Sequence, residues 1–373
     1  KKEEYTLTYD KVGNILTEKT YTNYEEEKTV NKTYEYDKIG RLTRVENDGK
    51  VTTYTYDKVG NRKTQTSEVK TLNYSYNNLD QLLNIKQGDK TISTFEYDNR
   101  GNQIKETTWA FTMSIGDPGS AGYESKDHFT VTNYSYDLRN QLTNVSVKTP
   151  KALEHPGTVD DVTYTTETTQ NKYGASGKRI ERLEKGITTR YYYTGDALLY
   201  STNEKNVLET ENILDPAGSV IASKRFLDPS ELGTEKYANK YYIYNYDARS
   251  SVTNVIAPDG NVVKDYTYDE FGNTEASDSD FLNDITFTSS VADTSSNLQY
   301  MNSRFYQPST GRFLSQDSYS GNPYDPWTHH LYSYCGNNPT SMIDPTGHIA
   351  IEIGVVLGAA IKGLAIGVAA VAS

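Results

Sequence analysis

"KTYEYDKIGRLTRVENDGKVTTYTYDKVGN", residues 32–61, holds two copies of one unit. Tyr34 and Tyr36, like Tyr54 and Tyr56, stand two apart and therefore share one face of an extended strand. Asp37-Lys38-Ile39-Gly40 then places Asp first and Gly fourth, the pattern of a type I turn. The chain returns through Leu42, Thr43 and Val45, and Asp48-Gly49 turns it again into "VTTYTY". One unit is thus a β-hairpin, and a series of them is an antiparallel meander.

Working outward, the tyrosine that precedes Asp recurs at Tyr9, Tyr36, Tyr56, Tyr97, Tyr136, Tyr246 and Tyr268. A degenerate copy, "LNYSYNNLDQ", supplies Tyr76, and the early spacings are 20 or 21 residues after a longer first gap. No 3.6-residue periodicity accompanies the repeat, and a propeller blade needs about twice this period. The predicted fold class is therefore all-β: antiparallel hairpins adding to one single-layer sheet, which must curl to hide its edges. Two stretches read as loop-like excursions from the repeat, 109–130 and 149–162. Between 163 and 240 the polar-aromatic style persists ("TTRYYYTGD") but strict register is lost.

Composition supports a thin, wet sheet. Of 373 residues only 35% are hydrophobic, and 33 Tyr stand against 9 Phe and 2 Trp. A buried tyrosine hydroxyl requires a partner or water, which suits a shallow layer better than a thick dry core. So many aromatic and β-branched residues argue against disorder. The formal charge of −12 disfavours nucleic acid, whose binding needs a Lys/Arg footprint. The single cysteine, Cys335, excludes an internal disulfide framework and a Cys-based zinc site, and reads as a small core residue. His329-His330 lacks the spacing of a metal site and reads as a pair of surface-loop residues. No phosphate-binding or dinucleotide fingerprint appears. Neither metal nor cofactor is expected. The chain begins at Lys1 and is read as a piece of a longer polypeptide.

The Tyr-Asp-x-x-Gly units resemble the YD or RHS repeats of bacterial Rhs and wall-associated proteins, of ABC-toxin C subunits and of teneurins. That resemblance spans residues 1 to about 282 and implies a β-strip wound into a hollow shell. Downstream, Tyr300, Arg304-Phe305-Tyr306, Gly311-Arg312-Phe313, Asp317, Asn338-Pro339 and Asp344-Pro345-Thr346-Gly347-His348 are similar to the RHS-associated core domain. Such a domain closes the shell and carries an aspartyl autoprotease cutting after a D-P-x-G-L type sequence. The implied division is 1–282 repeat shell, 283–348 associated core with autoprotease, and 349–373 the start of a C-terminal cargo, a toxin. His348 stands where leucine is usual, histidine being a familiar variant among the wall-associated members that the sequence resembles, and "NPYDPWTHH" lengthens the interval between Asp317 and Asp344.

Unaided, Asp344-Pro345 is one of five Asp-Pro pairs, the others beginning at Asp117, Asp215, Asp228 and Asp325, and each reads as a turn. Asp344 alone stands at a composition border. The resemblance implies that Asp317 and Asp344 are a carboxyl pair sharing one proton, since two adjacent carboxyls cannot both ionise cheaply. It places Arg304 beside them, where a guanidinium can hold one carboxylate bidentately and stabilise a developing oxyanion. Cleavage is expected between His348 and Ile349, with Pro345, Thr346 and Gly347 completing the recognition sequence. His348 reads as a recognition or tolerated residue rather than a base. An intein-like acyl shift is excluded because Ile349 follows the bond, and acid scission of Asp-Pro would instead free Pro345.

The last residues, "IAIEIGVVLGAAIKGLAIGVAAVAS", are long enough for a membrane span and carry Gly354/Gly358 and Gly363/Gly367 pairs. Lys362 near mid-span would cost about 2.5–3.5 kcal/mol. The segment is read as enclosed cargo with membrane contact once freed. The partners implied are this cargo and the remainder of the parent chain, with no nucleic acid for this part. The implied location is secreted or at the bacterial cell surface. A rival from another class is an adhesin that offers exposed tyrosines to carbohydrate. The catalytic triplet before an apolar segment distinguishes the two.

Overall fold

The computed structural model describes residues 2–23, 26–120, 122–154, 156–215, 218–226, 237–277, 279, 281–322 and 326–353. Asp228, Asp325, Lys362 and the glycine pairs of the apolar segment lie outside the described residues. Twenty-two strands form one sheet. Each pairs antiparallel with the strand next in sequence, from Lys2–Tyr9 through Glu27–Tyr36, Leu42–Asn47 and Lys50–Tyr56 to Val262–Tyr268 and Thr274–Ala276. The expected meander is what forms. It curls until Thr253 Oγ1 donates to Glu3 Oε2 at 2.9 Å, bringing the twentieth strand beside the first. No ladder joins those two strands among the described residues, so the sheet remains an open strip.

The repeat explains its own composition. Asp37 Oδ1 accepts the backbone N–H groups of Ile39 and Arg41, at 3.1 and 3.0 Å, and Gly40 N–H returns to the Asp37 carbonyl at 3.0 Å. Gly40 has φ +87°, a left-handed conformation that glycine adopts without strain. The tyrosine before Asp is a rung between hairpins. Tyr36, Tyr56, Tyr76 and Tyr136 donate their hydroxyls to the carbonyls of Ile15, Leu42, Arg62 and Gln103 at 2.6–2.9 Å. A phenylalanine would bury the same ring but leave that bond unmade, which accounts for the tyrosine excess.

One sequence expectation is corrected in part. Of the stretches read as loop-like excursions, 109–130 is largely strand, with Gln103–Ile115 pairing with Glu124–Tyr136 as far as Ile115 opposite Glu124, whereas 149–162 is strand only at its ends, where Leu142–Ala152 pairs with Val162–Tyr173. Lengthening a hairpin keeps every backbone group paired, so extra residues entered the ladder. The segment without strict sequence register continues the expected meander. Gly174–Gly177 and Asn203–Asn206 make the same turns without the Asp-x-x-Gly spelling.

The core lies where the strip's concave face meets residues 285–353. A small sheet of Val291–Asp293, Leu298–Met301, Arg304–Gln307 and Arg312–Phe313 is buried there. Tyr134, Leu142, Val145 and Tyr191 of the strip pack on Leu298, Tyr300, Phe305 and Leu314. Tyr244, Val252, Val255 and Tyr266 pack with Phe287, Tyr306 and Tyr334. Polar ties fix the register of the two layers. Arg179 and Asp293, both fully buried, pair at 2.7 Å; Tyr332 donates to the Gly101 carbonyl at 2.8 Å; and Asn338 donates to Asn14 at 2.8 Å. A Cβ on Gly101 would stand 2.6–2.8 Å from the side-chain ends of Gln316 and Tyr332, at a φ of +81°, so any other residue is strained at this turn against the inner layer.

Candidate active site

Arg304 begins the strand Arg304–Gln307, just after the Asn302-Ser303 turn, and is 5% exposed. Its guanidinium lies 3.7 Å above the Phe313 ring. Nη1 donates to the Leu331 carbonyl at 3.0 Å, and Nε donates to the Gly347 carbonyl. Burial pulls its pKa down to about 10, against the opposing pull of Asp317 and Asp344.

Three consecutive residues hold three consecutive carbonyls. Asn302 Nδ2 donates to Pro345 O at 3.0 Å, Ser303 Oγ to Thr346 O at 2.6 Å, and Arg304 Nε to Gly347 O. The chain can approach this closely because Gly347 lacks a Cβ. One built there would stand 2.5 Å from the Met301 carbonyl and 2.7 Å from Ser303 Oγ, at a φ of +75°.

The approach brings Asp344 beneath the segment it precedes. Its Oδ1 accepts backbone N–H groups from Gly347, His348 and Ile349 at 2.9, 3.0 and 3.1 Å. Its Oδ2 lies 3.7 Å from Arg304 Nη2. Asp344 is 3% exposed. Burial raises its carboxyl pKa above the usual carboxylate range, although Arg304 and the backbone donors oppose the shift.

Asp317 comes from the turn after Arg312–Phe313, where its N–H donates to the Leu331 carbonyl at 2.9 Å. Its Oδ2 lies 2.6 Å from the same Arg304 Nη2. Its Oδ1 accepts from Tyr319 N–H at 2.9 Å and meets His348 Nδ1 at 2.9 Å. The structure therefore brings Arg304, Asp317, Asp344, His348 and Ile349 into one cluster, with the guanidinium between the carboxyls and no carboxylate held by it bidentately. A buried carboxyl inclined to keep its proton, beside one bound to a cation, is the arrangement needed for paired acid and base work.

Sequence reasoning missed the roles of Asn302 and Ser303, although they immediately precede Arg304. The chemistry of a short turn does not announce a partner more than forty residues away. The surface-loop reading of the two histidines holds for His329, which is exposed, and fails for His330. His330 is 8% exposed, accepts Tyr332 and Ser333 N–H at Nδ1, and meets Asn61 Oδ1 at 2.8 Å through Nε2. Burial, with Arg312 nearby, pushes its pKa down to about 3. Cys335 is 2% exposed in the inner core.

A curled YD-repeat strip filled by an inner β layer defines a shell protein. Residues 1–340 match the family model described as Teneurin YD-shell, and the chain belongs to that family. Among curated relatives, it is 31% identical over 293 residues to the tRNA nuclease WapA of Bacillus subtilis (strain 168), covering 72% of this chain and 11% of that protein. It is 31% identical to the tRNA3(Ser)-specific nuclease WapA of Bacillus spizizenii over the same shares. The chain thus spans about a tenth of the length of these relatives. Among solved structures, a TcdB2-TccC3 crystal structure aligns with 91% of this chain and 21% of that one, at 15% identity and a TM-score of 0.42.

Proposed function

We propose that this shell cuts its own chain between His348 and Ile349, separating a C-terminal toxin segment that stays enclosed until delivery. The observation that carries this reading is the position of Asp344. Its Oδ1 is 3.1 Å from the nitrogen that would leave, while Arg304 holds the second carboxyl alongside. Asp317, paired with Arg304 at 2.6 Å, takes a proton from water as the oxygen attacks the His348 carbonyl carbon. Asp344, whose carboxyl pKa burial raises, gives its proton to Ile349 N as the C–N bond breaks. A carboxyl at His348 and an amine at Ile349 result, and the proton on Asp317 restores the pair by exchange with Asp344 through water.

Retention is supported by the residues after the bond. Ile351–Glu352 pairs with Met342–Ile343, and Ile353 is 1% exposed against Ile15, Tyr34 and Leu42. Fully burying one isoleucine side chain stabilises by about 1.5–3 kcal/mol. An adhesin reading finds less support: Tyr34, Tyr54 and Tyr74 are buried, and the tyrosines that follow them spend their hydroxyls on backbone carbonyls. By this reading the parent protein is secreted or held at the bacterial surface.

Asp317→Asn and Asp344→Asn each remove one proton carrier at nearly constant shape. Each should slow cutting by about 100-fold or more, with an unchanged far-ultraviolet circular dichroism spectrum. Arg304→Ala should also slow it strongly. Processing of either Asn variant at the wild-type rate on a denaturing gel would refute the assignment.

A further inference from the structure

His348 is tied to both carboxyls of the site. Its backbone N–H donates to Asp344 Oδ1 at 3.0 Å, and its ring Nδ1 stands 2.9 Å from Asp317 Oδ1. Asp317 is paired with Arg304 at 2.6 Å, and a carboxylate only accepts, so the ring nitrogen facing it is the donor. The protonated nitrogen is therefore Nδ1. Asp317 then receives three donors: Arg304 on Oδ2, and Tyr319 N–H with the His348 ring on Oδ1. The first two belong to the shell side of the cut and are independent of the sequence being cut. The third comes from the residue before the bond. Leucine, the residue the family resemblance leads one to expect, cannot supply it.

We propose that His348 is a positioning and specificity-determining residue, recognised before the cut by Asp317 itself through the Nδ1–H bond. The inference rests on the cleavage reading above. Two consequences follow from the geometry. The bond fixes the rotamer of the carboxylate that must face the attacking water, and it anchors the side chain flanking the bond to be broken. A change at this position therefore alters alignment at both the base and the substrate carbonyl, although the ring itself exchanges no proton in the reaction. Specificity at the position should follow the reach of a donor, because the acceptor is a fixed side chain. Hydrophobicity of the side chain should matter less.

Asparagine and glutamine separate this role from general packing. The asparagine amide nitrogen is as many bonds from Cα as histidine Nδ1, whereas the glutamine nitrogen is one bond further. The His348 side chain is 38% exposed, so substitutions here leave the core untouched. The test follows the fraction cut against time, on denaturing gels, after cell-free synthesis of the whole chain carrying His348→Ala, His348→Asn or His348→Gln. Misalignment of this kind costs about tenfold or more in rate; His348→Ala and His348→Gln should lose that much, and His348→Asn should stay within about threefold of wild type. Cutting of His348→Ala at the wild-type rate, or failure of His348→Asn to recover, overturns the role while leaving the cleavage reading intact. An uncut wild-type chain overturns both.

Discussion

Tyr56 shows what a single residue contributes to this fold. Its ring packs against the cluster that joins Leu42 and Tyr54 of the strip to Ile343 of the inner layer, and its hydroxyl crosses to the Leu42 carbonyl at 2.7 Å, joining one hairpin to the one before. Arg41 lies 4.8 Å from the ring centre and adds a cation–π contact. Burial raises the Tyr56 pKa, so the hydroxyl remains a donor at any ordinary pH. Tyr56→Phe removes only the oxygen and should destabilise by about 1 kcal/mol, read as a lower urea midpoint with an unchanged slope. An unaltered midpoint would mean that the rung adds nothing. The tyrosines and their two-residue spacing are legible in the sequence, but the carbonyl each one reaches is not, because it belongs to an earlier repeat. The rung outlasts the sequence pattern: Tyr173 and Tyr193 still reach Leu142 and Arg179 carbonyls at 2.6 and 2.9 Å in the stretch where register looked lost.

At the scale of elements, the contact between the repeat turns and the inner layer carries a pH dependence. His330 closes it, accepting two backbone N–H groups at Nδ1 and facing Asn61 at Nε2. Its folded pKa, depressed to about 3, lies below the ordinary histidine value of about 6.5. The unfolded chain therefore gains a proton below pH 6.5 that the folded chain refuses, and stability falls as pH drops from that value towards 3. The loss approaches about 1.4 kcal/mol per pH unit. His330→Gln should be less stable than wild type at pH 7, by about 1–3 kcal/mol for the unpaired groups it leaves. That deficit should shrink as pH falls to 5, measured by urea unfolding at each pH. A constant deficit from pH 7 to 5 would contradict the buried neutral imidazole. This element was misread from sequence because two adjacent histidines in a polar stretch look exposed, and nothing local reveals that the turn at Asn61 covers one of them. The long hairpins over 103–136 were misread for a related reason: insertions relative to a repeat resemble loops until a pairing partner is known.

For the whole molecule, the strip supplies walls, strip and inner layer share the core, and the inner layer carries the proposed cleavage site. Arg304, Asp317 and Asp344 come from three separate segments of that layer, and the Asn302–Arg304 turn draws the last of them into place. The hairpin repeat could be derived from strand and turn chemistry alone. The site could not, since its residues are local singletons whose meaning depended on an ordered resemblance and then on geometry. The central claim is that this geometry breaks one particular bond. Intact-mass measurement under denaturing conditions, on the freshly made 373-residue chain and its Asp344→Asn variant, tests it directly. The expected result is two species from the wild type, the smaller beginning Ile349-Ala350-Ile351-Glu352, and one undivided chain from the variant. A wild-type chain that remains whole, or a fragment beginning at Pro345, would contradict it.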